Sequence, residues 1–483
     1  MPLNRTHFSY FKTFFAFPKK LLLLLSVLFP LSIYGVDLEP KLQQTYKIIP
    51  GSPIQAFQYK LQNGLQFYII PDQRNPVATI HFILDAGSNR EAKGTTGLAH
   101  FFEHMMFRKS EGAPEGNYDK VLNSFGGSGN AGTSDAYVTF YSTFPGPALE
   151  QMLKLEANRF LNLDITDPYF SIEKGAVISE RKLRVENDPL TRSSEILRAI
   201  TERNTPLEWM TIGSKQDVEN MSIESAKIFY KNFYTPDNTT IFIGGPFDPK
   251  KVANLVQKYF GSWEGNLKAT HQKFPTDYLT RDLGKKFVCS APIYSQKYKI
   301  TYPTFSKNIH DLVNVIIFKT LLDDHPDGRF ERRLVKEKIA TDFSFYKVFW
   351  QNQSNPLTAN FSLNNEQKFE IALKFWENGI KEVLNKPISE KIKKQILKQL
   401  AVSNAETAEK MTNLVNTIFE DVFFLKSMNT ASQIEKLVKS SSTSEFRKWV
   451  KENLSNKNNY VTGIVPTGKA ESCQDLYTNF LKK

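Results

Sequence analysis

The stretch Thr95-Thr96-Gly97-Leu98-Ala99-His100-Phe101-Phe102-Glu103-His104-Met105-Met106-Phe107 decides how this chain is read. Its apolar residues recur at helical spacing, which predicts a helix over 95–107 with Thr95 or Thr96 as N-cap. Residues four apart on a helix lie on one face, one turn apart. His100 and His104 can therefore present two imidazoles to one metal ion. Glu103 stands beside that face, within reach of a water at the metal. This is the chemistry of His-Glu-x-x-His with the order reversed. A hydrolytic zinc wants three protein ligands and an open position. The third must be a His, Asp or Glu brought in by folding, and spacing alone does not choose it. In Ile172-Glu173-Lys174-Gly175-Ala176-Val177-Ile178-Ser179-Glu180, the two acids lie two helical turns apart on one face. One could bind metal and the other stand behind it. Simple solvation of a charged helix explains the same pair.

Around this segment the chain alternates between strand and helix signals. Phe57–Leu61 and Leu65–Ile70 flank Asn63-Gly64 and read as a β-hairpin. Val77–Leu84 reads as a strand, and Tyr137–Thr143 as another after the glycine-rich run 126–132. Helical patterns follow at 147–160, 172–186 and 193–202, then a strand at 239–243 and a helix at 249–260. A strand, a Gly/Pro turn and a helix recur at the end of the chain, at 460–465 and 473–481. Between them lie a strand-rich stretch (286–302) and helices at 311–322 and 369–384. The reading is α+β: two homologous α/β sandwich domains, each an antiparallel-rich sheet packed with helices, enclosing a cavity. The expected organisation is a signal segment at 1–35, a first domain at 36–265, a polar linker at 266–284 carrying Pro275, and a second domain at 285–483.

The composition narrows the function. The chain has 62 Lys+Arg against 50 Asp+Glu, a net charge of +12. There is no basic block with interleaved aromatics, which argues against nucleic acid. Residues 1–35 carry Arg5, Lys12, Lys19 and Lys20 and no acid, then an apolar run from Leu21 to Ile33 and a small residue at Gly35. That is the pattern of an export signal, and the run is short for a membrane span. The expected location is periplasmic or secreted, with anchoring by this segment left open. Cys289 and Cys473 could pair in an oxidising compartment, or stand as two buried thiols.

The motif His100-Phe101-Phe102-Glu103-His104 with Glu180 further along resembles the inverted-motif zinc peptidases, the family of pitrilysin, insulysin and mitochondrial processing peptidase. Gly97-Leu98-Ala99, Met105-Met106-Phe107, Asn187-Asp188-Pro189 and Gly129-Asn130-Ala131 carry the same likeness. It implies one Zn2+ per chain held by His100, His104 and Glu180, with Glu103 as general base. Glu173 would support the metal site. Asn130 and Ala131 would lie on an edge strand that pairs with a peptide or unfolded substrate, a mode that accepts varied sequences.

One feature departs from the family. There, an Arg and a Tyr seven residues later on the second domain contact the substrate. Here the matching positions are Lys336 and Phe343. Lys keeps the charge without the planar fork, and Phe lacks a hydroxyl. Two-subunit members divide the work this way, so the chain is expected to be the zinc-bearing half of a heterodimer, Lys336 being its substrate contact. A homodimer is the other arrangement. The competing functions are a noncatalytic scaffold and a peptide-binding subunit.

Overall fold

The computed structural model describes residues 40–482 apart from 51, 53, 266–274, 276, 304–307, 348–355 and 365. The expected signal segment and most of the expected linker lie outside the described residues. None of the described helices is long and apolar enough to cross a membrane.

Two sheets organise the chain. The first runs through β1 (Lys41–Lys47), β2 (Gln55–Lys60), β3 (Gln66–Pro71), β4 (Val77–Leu84), β5 (Ser128–Thr133), β6 (Val138–Pro145) and β7 (Thr239–Gly245), in the order β1-β2-β3-β7-β4-β6-β5. The second holds β8 (Lys286–Ala291), β9 (Gln296–Tyr302), β10 (Asp342–Lys347), β11 (Leu357–Leu363) and β12 (Tyr460–Pro466), in the order β10-β11-β9-β12-β8. With β1 and β2 set aside, the two plans coincide. In each, the first strand pairs parallel with the last, and the last pairs antiparallel with the second. The third strand of each is the edge, paired antiparallel with the fourth. The α+β reading with two related sandwiches is therefore the observed architecture.

The helices repeat as well. Among the described residues, five α-helices stand between β6 and β7 and five between β11 and β12. The third of each set crosses to the other half. Pro189–Thr201 places Ile196, Leu197 and Ile200 against Phe287 and Cys289 of β8 and Ile464 of β12. Met411–Leu425 places Met411, Leu414, Val415 and Ile418 against Tyr68, Ile70, Ile83 and Phe242 of the first sheet. At Gly244 an added Cβ would collide with the Met411 side chain, so glycine there lets this helix pack closely on the sheet. The opposite face of each sheet carries the main cores. One holds Phe82, Phe101, Phe102, Phe140 and Phe160, the other Phe318, Phe343, Phe361 and Trp376. Cys289 and Cys473 form a disulfide that ties β8 to the final helix, Cys473–Leu481.

Several boundaries differ from the sequence reading. The metal-motif helix is Leu98–Met105, and neither Thr95 nor Thr96 caps it. Gly97 stands at the cap with φ +94°, in the left-handed region that favours glycine. Thr96 is occupied elsewhere: its hydroxyl donates to Asp217 Oδ2 (2.6 Å) and accepts from the Ser214 amide (2.8 Å). The pattern placed at 193–202 begins at Pro189, capped by the Asp188 side chain. The strand β1, the pair β10–β11 and the long helices over 390–453 had no expectation assigned.

Candidate metal centre

The helix Leu98–Met105 buries Phe101, Phe102 and Met105 in the first core and turns His100, Glu103 and His104 to the other side. The buried carboxyl group of Glu91 holds its N-terminus in place of a Thr cap. Glu91 accepts from the Gly97 amide (2.9 Å) and the Ala99 amide (2.8 Å), two donors that no residue of the helix can satisfy. Complete burial pushes the Glu91 pKa up to about 8, the amide bonds opposing that rise. A Cβ on Gly97 would come within 2.9 Å of the Ile212 carbonyl and the Val218 side chain, so the loop at 212–213 sits directly on the helix start.

Glu173 and Glu180 both lie on the helix Tyr169–Arg181, which packs alongside. Arg181 anchors its end, donating to the Gly213 carbonyl and to Glu195. His100, His104 and Glu180 converge, their candidate ligand atoms lying within 4.8 Å of one another. Glu180 Oε2 stands 3.3 Å from His104 Nε2 and 3.7 Å from His100 Nε2. A tetrahedral zinc with ligand distances near 2.0–2.2 Å needs donor atoms about 3.3–3.5 Å apart; the two Glu180–imidazole separations lie close to that, and the donor chemistry of the trio suits that ion.

The neighbours set the imidazoles up for the task. Glu173 Oε2 lies 3.1 Å from His104 Nδ1. A proton held there leaves the Nε2 lone pair turned toward Glu180. Hydrogen bonding to Glu173 raises the His104 pKa against the effect of burial. Burial lowers that of His100 and favours the neutral ring that can ligate. Burial would raise the Glu173 carboxyl, but His104 and Arg108 together hold it below its ordinary value. Arg108 pairs with Glu173 and also with Glu115 (2.6 Å). Arg184 pairs with the outer oxygen of Glu180 at 2.8 Å. Glu103 accepts a 2.7 Å hydrogen bond from the Thr133 hydroxyl at the end of β5.

Asn130 and Ala131 lie on β5, the terminal strand of the first sheet; Asn130 is exposed and its side chain accepts from the Ala131 amide (2.9 Å). Lys336 is an exposed residue in the last turn of the helix Phe330–Lys336. Among the described residues no hydrogen bond or ion pair joins it to the trio. Phe343, its companion in the sequence comparison, is buried against Phe330, Phe361 and Trp376 and serves the second core. Sequence reading missed Thr133, Glu91 and Arg108. Only Arg108 carried a signal, standing one helical turn beyond His104.

Comparisons with known proteins agree with this architecture. The family model described as insulinase (peptidase family M16) matches residues 67–215, the stretch that contains the trio and Glu103. The model described as the peptidase M16 inactive domain matches 220–400. The zinc protease PqqE of Helicobacter pylori is 29% identical over 221 residues, 45% of this chain and 49% of that protein. The uncharacterized zinc protease YmxG of Bacillus subtilis is 26% identical over 46% of this chain and 55% of its own. The chain thus spans about half the length of the curated relatives it matches. Among solved structures, a protease from Helicobacter pylori superposes with a TM-score of 0.76 at 20% identity, covering 85% of this chain and 99% of that one. The first half of the periplasmic protease PqqL from Escherichia coli gives 0.70 at 17%, covering 89% and 97%. The chain belongs to the insulinase family of zinc peptidases, peptidase family M16.

Proposed function

We propose that this chain is an exported zinc-dependent endopeptidase acting on peptides or unfolded segments. The convergence of His100, His104 and Glu180, with Glu103 on the same helix, carries the reading. Three protein ligands leave a fourth position open, the arrangement of catalytic zinc sites. Zinc in such a site polarises the scissile carbonyl and lowers the pKa of water toward ~7. Glu103 takes the proton of the attacking water and returns it to the leaving amine. Thr133 holds one oxygen of Glu103 and leaves the other free to face that water. Glu173 fixes the ring of His104. The open edge of β5, at Asn130 and Ala131, offers backbone donors and acceptors to an extended substrate.

The disulfide suits an oxidising compartment, and the export pattern at 1–35 points the same way. The positions that match the family's Arg/Tyr pair hold Lys336, on an exposed helix, and Phe343, a core residue. The proposal therefore includes a homologous partner subunit that supplies such a pair.

The match to an inactive-domain model favours a second reading, a noncatalytic scaffold. Glu103→Gln separates the two. The purified chain, alone and with a homologous partner, is supplied with zinc and quenched fluorescent peptides. The enzyme reading expects the variant to keep zinc and lose about 10²–10⁴-fold in turnover. Zinc binding with no cleavage by the wild type in any combination would establish the scaffold.

A further inference from the structure

The face of the second sheet that turns away from its core is only partly covered. The helix Pro189–Thr201 and the disulfide-tied final helix sit over β8 and β12. Beyond them the register puts Lys297 and Lys299 of β9 level with Ser362 and Asn360 of β11, on the same face. A cavity of about 440 Å³ opens there, between this face and the Pro189–Thr201 helix of the first half.

Its charges do not balance. Arg198 at the rim is answered by Asp135 at 2.6 Å. Glu202 is buried and engaged by the hydroxyls of Tyr278 and Tyr460, and burial raises its pKa. Lys297 donates to the neutral Ser362 hydroxyl (2.9 Å). Lys299 is exposed and, among the described residues, forms no ion pair. Glu202, the one carboxylate among the described lining residues, feels Lys299 electrostatically, so the two ammonium groups outnumber it and Lys297 meets only a neutral hydroxyl. A short chain of contacts relates the cavity to the candidate metal centre: Arg198 meets Asp135, which lies two residues after Thr133, whose hydroxyl holds Glu103. At about 3.3 Å per extended residue, a peptide seated along β5 reaches it within a few residues.

We propose that Lys297 and Lys299 form a carboxylate-binding subsite that selects substrates carrying negative charge a few residues from the cut bond. The inference rests on the peptidase reading. The recognised group is a carboxylate, from an Asp or Glu side chain or from a peptide C-terminus.

Two readouts test it. Quenched peptides that differ only in Glu against Gln, each with a free or amidated C-terminus, are compared by kcat/KM for the wild type and Lys297→Gln/Lys299→Gln, with the partner subunit if required. Binding of the same peptides is followed by fluorescence anisotropy on Glu103→Gln loaded with zinc. The wild type should favour carboxylate over amide by about fivefold for each lysine engaged at low salt. The preference should shrink at high salt and vanish in the double variant, while neutral peptides are handled alike. Preference for Glu over Gln locates the recognised carboxylate on a side chain, and preference for free over amidated ends locates it at the terminus. Equal treatment of all four peptides, or a preference that survives the double substitution, overturns the subsite. Absence of cleavage alongside lysine-dependent binding of the acidic peptides would overturn the peptidase reading and leave the subsite standing.

Discussion

The two halves of this protein share a strand plan and differ in what they do with buried charge. In the first, the helix Leu98–Met105 between β4 and β5 brings His100 and His104 to Glu180. In the second, the helix Ile309–Asp323 between β9 and β10 also buries an acid, Asp311, in its first turn. Asp311 is met by donors: the Trp449 indole at 2.8 Å and the Lys347 ammonium at 3.4 Å. That cluster is complete as it stands. In the trio, by contrast, two imidazoles and a carboxylate converge with their potential ligand atoms close together, a donor set suited to a cation. The lesson is to ask whether a buried polar cluster supplies its own donors. The second half's does and is structural, whereas the first half's could hold a metal ion, which the proposed function uses.

The helix starts offer the first way to sharpen this contrast. Glu91 holds the first-half helix, while the neutral Asn308 side chain accepts from Asp311 N in the second. With its pKa raised to about 8, folded Glu91 keeps a proton that the unfolded chain releases near 4.5. Its contribution to stability is full below that value and is lost as pH rises through 8. Wild-type stability should fall across this window by up to about 1.4 kcal/mol per pH unit. Glu91→Gln should flatten the fall, as followed by denaturant melts at pH 5 to 9. A variant that keeps the wild-type slope would assign the pH dependence to another group.

Lys347→Met tests the self-sufficient cluster. It leaves Asp311 buried without its cation and should cost about 3–5 kcal/mol in stability, with zinc stoichiometry by elemental analysis unchanged. A loss of zinc would show the two clusters to be linked. Glu173→Gln probes the support behind the metal ligands. Zinc affinity, measured by competition with a chelator, should drop about 10–100-fold, and an unchanged affinity would remove Glu173 from the site. The smallest effect is expected at Thr133. Thr133→Val should lower kcat about tenfold with zinc content intact, as loss of one hydrogen bond to a charged group implies. Thr133→Ser should restore most of it; equal activity in all three would make the hydroxyl a bystander.

Much of this was legible in local pattern. Alternating residues around Asn63-Gly64 located the β2–β3 hairpin, observed in register with Phe57 opposite Ile69. Helical spacing put His100, Glu103 and His104 together, and Glu173 with Glu180. What misled was local preference overruled by contact. Thr95 and Thr96 are good caps, but Thr96 is claimed by Asp217 and Ser214, and the close loop at 212–213 requires Gly97 at the helix start. Phe343 occupies an alternating core position of β10, a strand the sequence reading did not place.

The sequence by itself determined the ingredients: two sandwiches, a helix carrying two imidazoles and a carboxylate, and a second acidic helix. These follow from periodicity, which acts over a few residues and is written into the chain locally. Spacing left the third acid open and the family resemblance implied Glu180; only the tertiary structure decided that Glu91 and Thr133 hold the helix and Glu103, that Cys289 meets Cys473, and that each half lends its third helix to the other's sheet. Such choices depend on contacts between residues far apart in the chain. No local pattern records them, because the side chains involved acquire their partners only when the two cores pack.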